Sequence, residues 1–197
     1  MDVPRRRLAL LAGLVFLSPP PVLAAPAITL DQLMAALRTV RHVNARYTER
    51  RTLAALRTPI ETRGTLRFDA PDKLEKIADP PGKGERLVID GDRLTMDRGD
   101  GRAPITLSLS SRPEIGVLVD SIRATLAGDG SSLSRNFDMT LAGTIDQWQM
   151  VLQPRDPALR QFLDWMRIDG LGPRITSVET QDRGGDRSQM TITEGTA

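Results

Sequence analysis

The chain has 197 residues, with 27 lysine and arginine against 25 aspartate and glutamate side chains. Three of the arginines and one aspartate lie in residues 1–24, so the remainder carries 24 charges of each sign and has no bulk charge to attract nucleic acid or an anionic membrane. There is no cysteine and only one histidine, which excludes disulfides and nearly excludes a catalytic triad or a histidine-based metal site.

The N-terminus predicts an exported protein. Residues 5–7 are three arginines, residues 8–17 form an apolar run, and residues 22–24 offer small side chains at the positions a signal peptidase reads. The apolar run is shorter than the roughly 20 residues that span a bilayer. We therefore expect a cleaved signal peptide over residues 1–24, a single domain over residues 25–197, and a periplasmic protein. Because no cysteine follows the cleavage site, we expect no lipid anchor of its own.

A short amphipathic helix is predicted to begin near Thr29. Thr29 and Gln32 match a capping box, in which each side chain bonds the other residue's backbone N–H. The apolar residues that follow at helical spacing are Leu30, Leu33, Met34, Leu37 and Val40. From Val43 the period changes to two, with Ala45 and Tyr47 continuing the apolar face, which is typical of a strand.

Many short strands are predicted after this point. Alternation is clearest over residues 60–69, where one face is mainly apolar and the other charged, as in an antiparallel sheet with one covered side. Asp90-Gly91 and Asp100-Gly101 predict hairpin turns. Further alternating sets end with Met190 and Ile192. Nine to eleven strands in one domain indicate an α+β fold built on a strongly curved antiparallel sheet, an incomplete β-barrel.

A second helix interrupts the strands. Ser111 and Glu114 match another capping box, Pro113 suits a first helical turn, and Gly128 is placed to end the helix. Its apolar stripe consists of Ile115, Leu118, Val119, Ile122 and Leu126. A lone amphipathic helix between strands must lay this stripe on the sheet. A further short turn is predicted after Asp156-Pro157, and it should bring Leu159, Phe162 and Leu163 inward.

The polar residues do not form a pattern typical of catalysis. His42, the only histidine, is expected to be a solvated or capping residue. Carboxylates near the turns, such as Asp90, Asp92, Asp97 and Asp100, could form a calcium or acid–base site, but their spacing follows hairpin chemistry, so we expect them to cap turns. No phosphate-binding loop is present. No enzyme activity, metal or cofactor is expected.

The order of the elements and several local segments resemble the LolA-like family of periplasmic outer-membrane lipoprotein carriers. The matching segments are residues 30–49, where an aromatic precedes a polar pair, residues 64–71, where a glycine-led strand ends in a proline, and residues 73–94, which contain the Asp90-Gly91 hairpin. The family commonly has an arginine just before that proline, which helps to fasten a lid. Here Ala70 precedes Pro71.

The resemblance implies a half-open barrel whose lid helices cover an apolar interior that takes the acyl chains of a lipoprotein or another lipid. It implies an inner-membrane exporter as donor and an outer-membrane acceptor, and we expect a monomer that does not bind nucleic acid. The expected lipid-binding residues on the sheet are Leu66, Phe68, Leu74, Leu87, Ile89, Leu94, Met96, Ile105 and Leu107, and those on the lid are Ile115, Leu118, Val119 and Ile122.

The apolar faces leave alternatives open. They could fill one another as an ordinary core or leave a cavity for an acyl chain, and periodicity does not separate these two arrangements. A sensor of the same fold would bind mislocalised lipoprotein or peptide and regulate a partner without moving cargo. A secreted hydrolase is a third class, which the single histidine disfavours.

Overall fold

The computed structural model describes residues 26–80 and 84–194, so the expected signal peptide lies outside the described residues. These ranges contain eleven strands: β1 (His42–Thr52), β2 (Ile60–Asp69), β3 (Lys73–Ala78), β4 (Arg86–Asp90), β5 (Arg93–Asp97), β6 (Ile105–Ser108), β7 (Phe137–Gly143), β8 (Trp148–Pro154), β9 (Trp165–Leu171), β10 (Arg174–Gln181) and β11 (Arg187–Glu194). They also contain three α-helices, α1 (Leu30–Leu37), α2 (Pro113–Ala127) and α3 (Gly130–Asn136), and 3-10 turns at Leu109–Ser111 and Leu159–Gln161.

All eleven strands form one antiparallel sheet in the order β6-β5-β4-β3-β2-β1-β11-β10-β9-β8-β7. Most neighbours are consecutive in the chain because they are joined by hairpins. The exception is the pairing of β1 with β11, which places the first and last strands at the centre of the sheet. Strands β6 and β7 are edges that do not pair with each other, so the barrel is not closed. The predicted α+β class with an incomplete antiparallel barrel is confirmed.

The strand register places the predicted apolar residues on a single face. One row of paired residues runs from Phe68 through Leu74, Ile89 and Leu94 to Leu107 across β2–β6. The next row on the same strands, which is polar except for Val88, faces the other way, because successive side chains in a strand alternate. We call the face with the apolar row the covered face, since its residues pack against the helices.

The helix termini match the predicted capping motifs at some positions and differ at one. The Thr29–Gln32 capping box is formed at the start of α1. Gly128 ends α2 in the left-handed region with φ of +67°, and a Cβ there would lie 2.2 Å from the Met34 carbonyl oxygen. The capping box predicted at Ser111 is wrong. Residues 109–111 form a 3-10 turn in which the Ser111 hydroxyl donates to the Ser108 carbonyl, and the N-cap of α2 is Arg112 without a side-chain cap.

Two apolar clusters lie on the covered face, one in each half of the sheet. The large cluster is built from α1, α3 and β7–β9 with Ala124 of α2, and its most buried members include Leu33, Leu133, Phe137, Trp148 and Met150. The small cluster consists of Ile89, Leu94, Leu109 and Val119, with Leu74, Leu87, Leu107 and Ile115 packed against it. Within the described ranges, no helix combines the length and the apolar character needed to span a lipid bilayer.

Candidate functional site

Nine of the thirteen residues predicted to contact lipid belong to or pack against one of the two clusters. Seven of them, Leu74, Leu87, Ile89, Leu94, Leu107, Ile115 and Val119, come together in the small cluster. Leu118 and Ile122 pack instead against the large cluster. Phe68 is buried, Leu66 and Met96 are half-buried, and Ile105 is exposed on the edge strand. Leu109 also belongs to the small cluster. It is not among the residues predicted to contact lipid, although it continues the alternation of Ile105 and Leu107 into the 3-10 turn.

Helix α2 is shared by both clusters. Ile115 and Val119 contact the small cluster, while Leu118, Ile122 and Ala124 belong to or pack against the large one. The helix therefore lies across the middle of the covered face. Displacement of this helix would therefore uncover the small cluster and the adjoining edge of the large cluster, the rest of which α1 and α3 cover.

An arginine of α2 fastens this helix to the sheet. The Arg123 guanidinium donates from Nη2 to the Gly91 carbonyl oxygen at 2.6 Å, in the β4–β5 hairpin. Only 14% of the Arg123 side chain is exposed. At the position before Pro71, where the family commonly has its arginine, the backbone N–H of Ala70 donates to the Arg41 carbonyl. The arginine contact of the covering helix thus comes from the helix rather than from the sheet.

We expect Arg123→Met to lower the free energy of unfolding by about 2 kcal/mol, because it removes a charged hydrogen bond from a largely buried position. It should also speed the uptake of a fluorescent fatty acid in stopped-flow measurements, because α2 then loses its hydrogen bond to the sheet and keeps its apolar contacts and the bond from Arg38 to the Gly128 carbonyl at its C-cap. Asp120→Asn is the matched control, since it removes only the exposed ion pair of Arg123 and keeps the Gly91 bond. An unchanged uptake rate in Arg123→Met would show that this bond does not hold the helix.

A cavity of about 180 Å³ opens beside Leu118 of α2. Its lining includes Arg51 and Ser188 from the central strands, Leu118 of α2, and Phe162 with Leu163. The prediction that Phe162 points inward is wrong, because this side chain is 57% exposed at the cavity. The 3-10 turn buries Leu159 and Leu163, which are four residues apart, and leaves Phe162 on the opposite side. Phe162 therefore adds an exposed apolar side chain to a lining that also contains the charged residues Asp182, Asp186 and Arg187.

A buried polar network lies between the two clusters, on the central strands. Glu49 of β1 is 5% exposed and accepts hydrogen bonds from Lys76 Nζ at 2.5 Å, Ser188 Oγ at 2.7 Å and Thr62 Oγ1 at 3.3 Å. Arg51 Nε lies 3.4 Å from the same carboxylate. Burial by itself raises the pKa of Glu49, but the charge and hydrogen bond of Lys76, the Ser188 hydroxyl and Arg51 together hold this pKa below its ordinary value.

Tyr47 precedes Glu49 on the same face of β1 and is only 2% exposed. Its ring lies against Gly64, and Lys76 Nζ is 5.2 Å from the ring centroid. Burial, reinforced by the charges of Glu49, Glu85 and Asp79, raises the pKa of Tyr47 to about 12. The phenol is therefore a neutral hydroxyl at any physiological pH.

This network is absent from the sites predicted from the sequence, although the sequence contains a signal for it. The alternation through Val43, Ala45 and Tyr47 continues to Glu49, so the register already places a carboxylate on the apolar face. Lys76 likewise alternates with Leu74 and Ala78 in β3. A charged residue at an inward position of a strand requires a partner of opposite charge nearby, and these two residues satisfy each other.

The other polar residues behave as expected of turn and surface groups. His42 is exposed and contacts Asp69 at 2.8 Å. Asp97 and Asp100 accept hydrogen bonds from backbone N–H groups two residues ahead, and Asp92 accepts from the backbone and hydroxyl of Ser110. In the part of the chain that the structure describes, no group of three or more metal-ligating side chains is assembled.

Comparison with known proteins shows the following similarities. Residues 23–197 match the family model described as outer membrane lipoprotein carrier protein LolA-like. The chain is similar to the structure of a LolA superfamily protein from Nitrosomonas europaea, with 11% identity, a TM-score of 0.44, and coverage of 85% of this chain and 92% of that one. It is also similar to a DUF1329 family protein from Desulfovibrio piger, with 10% identity, a TM-score of 0.46, and coverage of 83% and 88%. The comparison with curated proteins gives no match.

Proposed function

This chain belongs to the LolA-like outer membrane lipoprotein carrier family, and on that premise we propose that it carries acyl chains between the covered face of its sheet and α2. Proteins of this family are periplasmic, bind lipoproteins or lipids, and are not enzymes. The proposal extends this family property to a specific location in the molecule.

The position of α2 across both apolar clusters is the observation that carries the proposal. If α2 moves away from the sheet, the two clusters form one extended apolar surface. An acyl chain that replaces the helix restores the burial, at about 0.8 kcal/mol for each methylene removed from water. Binding of the acyl chain then replaces apolar contacts between α2 and the sheet with apolar contacts between the chain and the sheet. A helix held mainly by apolar contacts can open and close in this way.

We propose that the thirteen residues predicted from the sequence line the loaded cavity. The seven that form the small cluster would contact the chain directly once α2 moves. Leu118 and Ile122 would follow the helix and cover the chain from above. The exposed Phe162 at the mouth of the 180 Å³ cavity provides an apolar surface over which a chain can enter.

The rest of the transport cycle is part of the same proposal. The signal peptide over residues 1–24 would be removed on export, and the remainder would act as a monomeric domain. An inner-membrane exporter would deliver the lipid and an outer-membrane acceptor would receive it. The direction of transfer requires that the acceptor binds the acyl chains more tightly than the carrier does.

A binding experiment tests the proposal. The purified protein is titrated with a fluorescent fatty acid, and lipid extracted from the protein as isolated is identified by mass spectrometry. We expect saturable fluorescence that unlabelled long-chain lipids displace, together with co-purified acyl lipid. A protein that takes up no fluorescent lipid and carries none from the cell would contradict the proposed function.

A further inference from the structure

The Tyr47 hydroxyl is buried without satisfying its hydrogen-bonding capacity. Among the residues that the structure describes, no hydrogen-bond partner lies within reach of this oxygen. Leaving a buried hydroxyl without a partner destabilises a protein by about 1–3 kcal/mol. Native structures retain few such groups, and they are often explained by a ligand or by function.

The neighbouring polar groups are already engaged. Lys76, Thr62 and Ser188 all donate to Glu49, and Arg51 lies beside the same carboxylate. The network thus holds Glu49 tightly and leaves Tyr47 next to it as a free donor. A partner for the phenol has to come from outside this network.

Tyr47 lies where an acyl lipid would cross the covered face. Strand β1 is central in the sheet, with the small cluster on the β3–β6 side and the large cluster on the β7–β10 side. Helix α2 contacts both clusters and therefore spans this central seam. Under the proposed function, a lipid that reaches both apolar halves must place part of its length beside Tyr47.

The charges around Tyr47 restrict the kind of group it can receive. Glu49, Glu85 and Asp79 all act to keep the phenol protonated, and Arg51 only partly opposes them. The hydroxyl is consequently a neutral donor, and two of these carboxylates are themselves paired, Glu49 with Lys76 and Asp79 with Arg46. At this buried position a carboxylate or phosphate would have to give up its hydration without a free counter-charge, whereas an uncharged oxygen needs only the one hydrogen bond. A carbonyl in an ester or amide has this property and remains compatible with an apolar cavity.

We propose that Tyr47 donates a hydrogen bond to the ester or amide carbonyl that joins an acyl chain to the rest of the lipid. This site would select acylated lipids over free fatty acids and would fix the depth to which the chain enters. The assignment rests on the proposed function, because it requires lipid beneath α2.

The test compares Tyr47→Phe, which removes only the hydroxyl, with the unmodified protein. Methyl tetradecanoate, tetradecanoate and pentadecane compete against a pyrene-labelled alkane that contains no carbonyl. We expect the unmodified protein to bind the ester about fivefold more tightly than the alkane, the size of effect that one neutral hydrogen bond produces. Tyr47→Phe should lose this preference, keep its affinity for the alkane, and unfold at the same denaturant concentration or a higher one.

Thr62→Val is the matched control. It also deletes one hydroxyl, which is half-buried and donates to Glu49, so stability should fall while the preference for the ester remains. The inference is overturned if Tyr47→Phe keeps the preference, if it weakens ester and alkane equally, or if the free acid binds more tightly than the ester. If the pyrene alkane itself does not bind the unmodified protein, the proposed function fails instead.

Discussion

Replacing Lys76 with methionine is expected to lower the free energy of unfolding by about 3 kcal/mol, because it leaves the Glu49 carboxylate buried without its closest counter-charge. Lys76 Nζ lies 2.5 Å from Glu49, which is 5% exposed. Arg51 remains at 3.4 Å and limits the loss. The change is measured by urea unfolding at pH 7, where the slope of the transition should stay the same as in the unmodified protein.

Two variants separate the ion pair from other effects. Lys73→Met alters a lysine in the same strand that is exposed on the opposite face, and it should change stability by less than about 0.5 kcal/mol. The double variant Glu49→Gln/Lys76→Met should recover most of the loss, since no uncompensated charge then remains buried. Equal losses in the single and double variants would contradict the ion-pair explanation.

Lowering the pH should reduce the difference in the free energy of unfolding between Lys76→Met and the unmodified protein. The partners of Glu49 hold its pKa below the ordinary value of 4.5. A carboxyl with a depressed pKa in the folded state stabilises the fold above its unfolded pKa, and this stabilisation is lost as the pH falls through the folded value. The unmodified protein thus loses stability below about pH 4.5 through this group, whereas Glu49→Gln does not, and unfolding curves between pH 7 and pH 3 measure the difference.

A second large effect is expected for Gly64→Ala. A Cβ at this position would lie 1.9 Å from the Ile77 carbonyl oxygen and 2.7 Å from Cε1 of Tyr47. The first contact is with backbone, which no rotamer change relieves, so β2 and β3 must separate. We expect a loss of about 4 kcal/mol or more, a large part of the 5–15 kcal/mol or so that is typical of a folded domain, and circular dichroism should show a strongly lowered melting temperature.

The matched control is Gly184→Ala, in an exposed turn where the nearest atom to the added Cβ is a side-chain oxygen of Asp182 at 3.3 Å. This change should be nearly neutral, within about 0.5 kcal/mol. A Gly64→Ala protein with the melting temperature of the unmodified chain would show that β3 does not approach β2 this closely.

The alternation of residues and the turn motifs were sufficient to predict which residues of the strands face the helices. The alternation over residues 60–69 and the Asp90-Gly91 turn determine inward positions and hairpin partners, because both depend on neighbouring residues alone. The row from Phe68 to Leu107 follows directly from them. The pairing of β1 with β11 could not be obtained in this way, because it joins segments that are far apart in the chain.

The division of the site into two clusters was likewise not predictable from periodicity. The stripe of α2 indicates which side of the helix is apolar, but it does not indicate which strands lie beneath Leu118 and which beneath Val119. The start of α2 was ambiguous because the Ser111 hydroxyl can bond either to the Ser108 carbonyl or to the first turn of the helix. Glu49 and Lys76 were overlooked because each charge appears unfavourable until both strands are placed side by side.

Photocrosslinking from the covered face is the most direct test of acyl binding between the sheet and α2. A benzophenone side chain replaces either Met96, on the covered face of β5, or Thr95, its neighbour on the opposite face. The protein is loaded with a tritiated acyl lipid and irradiated. We expect labelling from position 96 with little from position 95. Equal labelling at both positions, or none at position 96 in protein that has bound lipid, would contradict acyl binding between the sheet and α2.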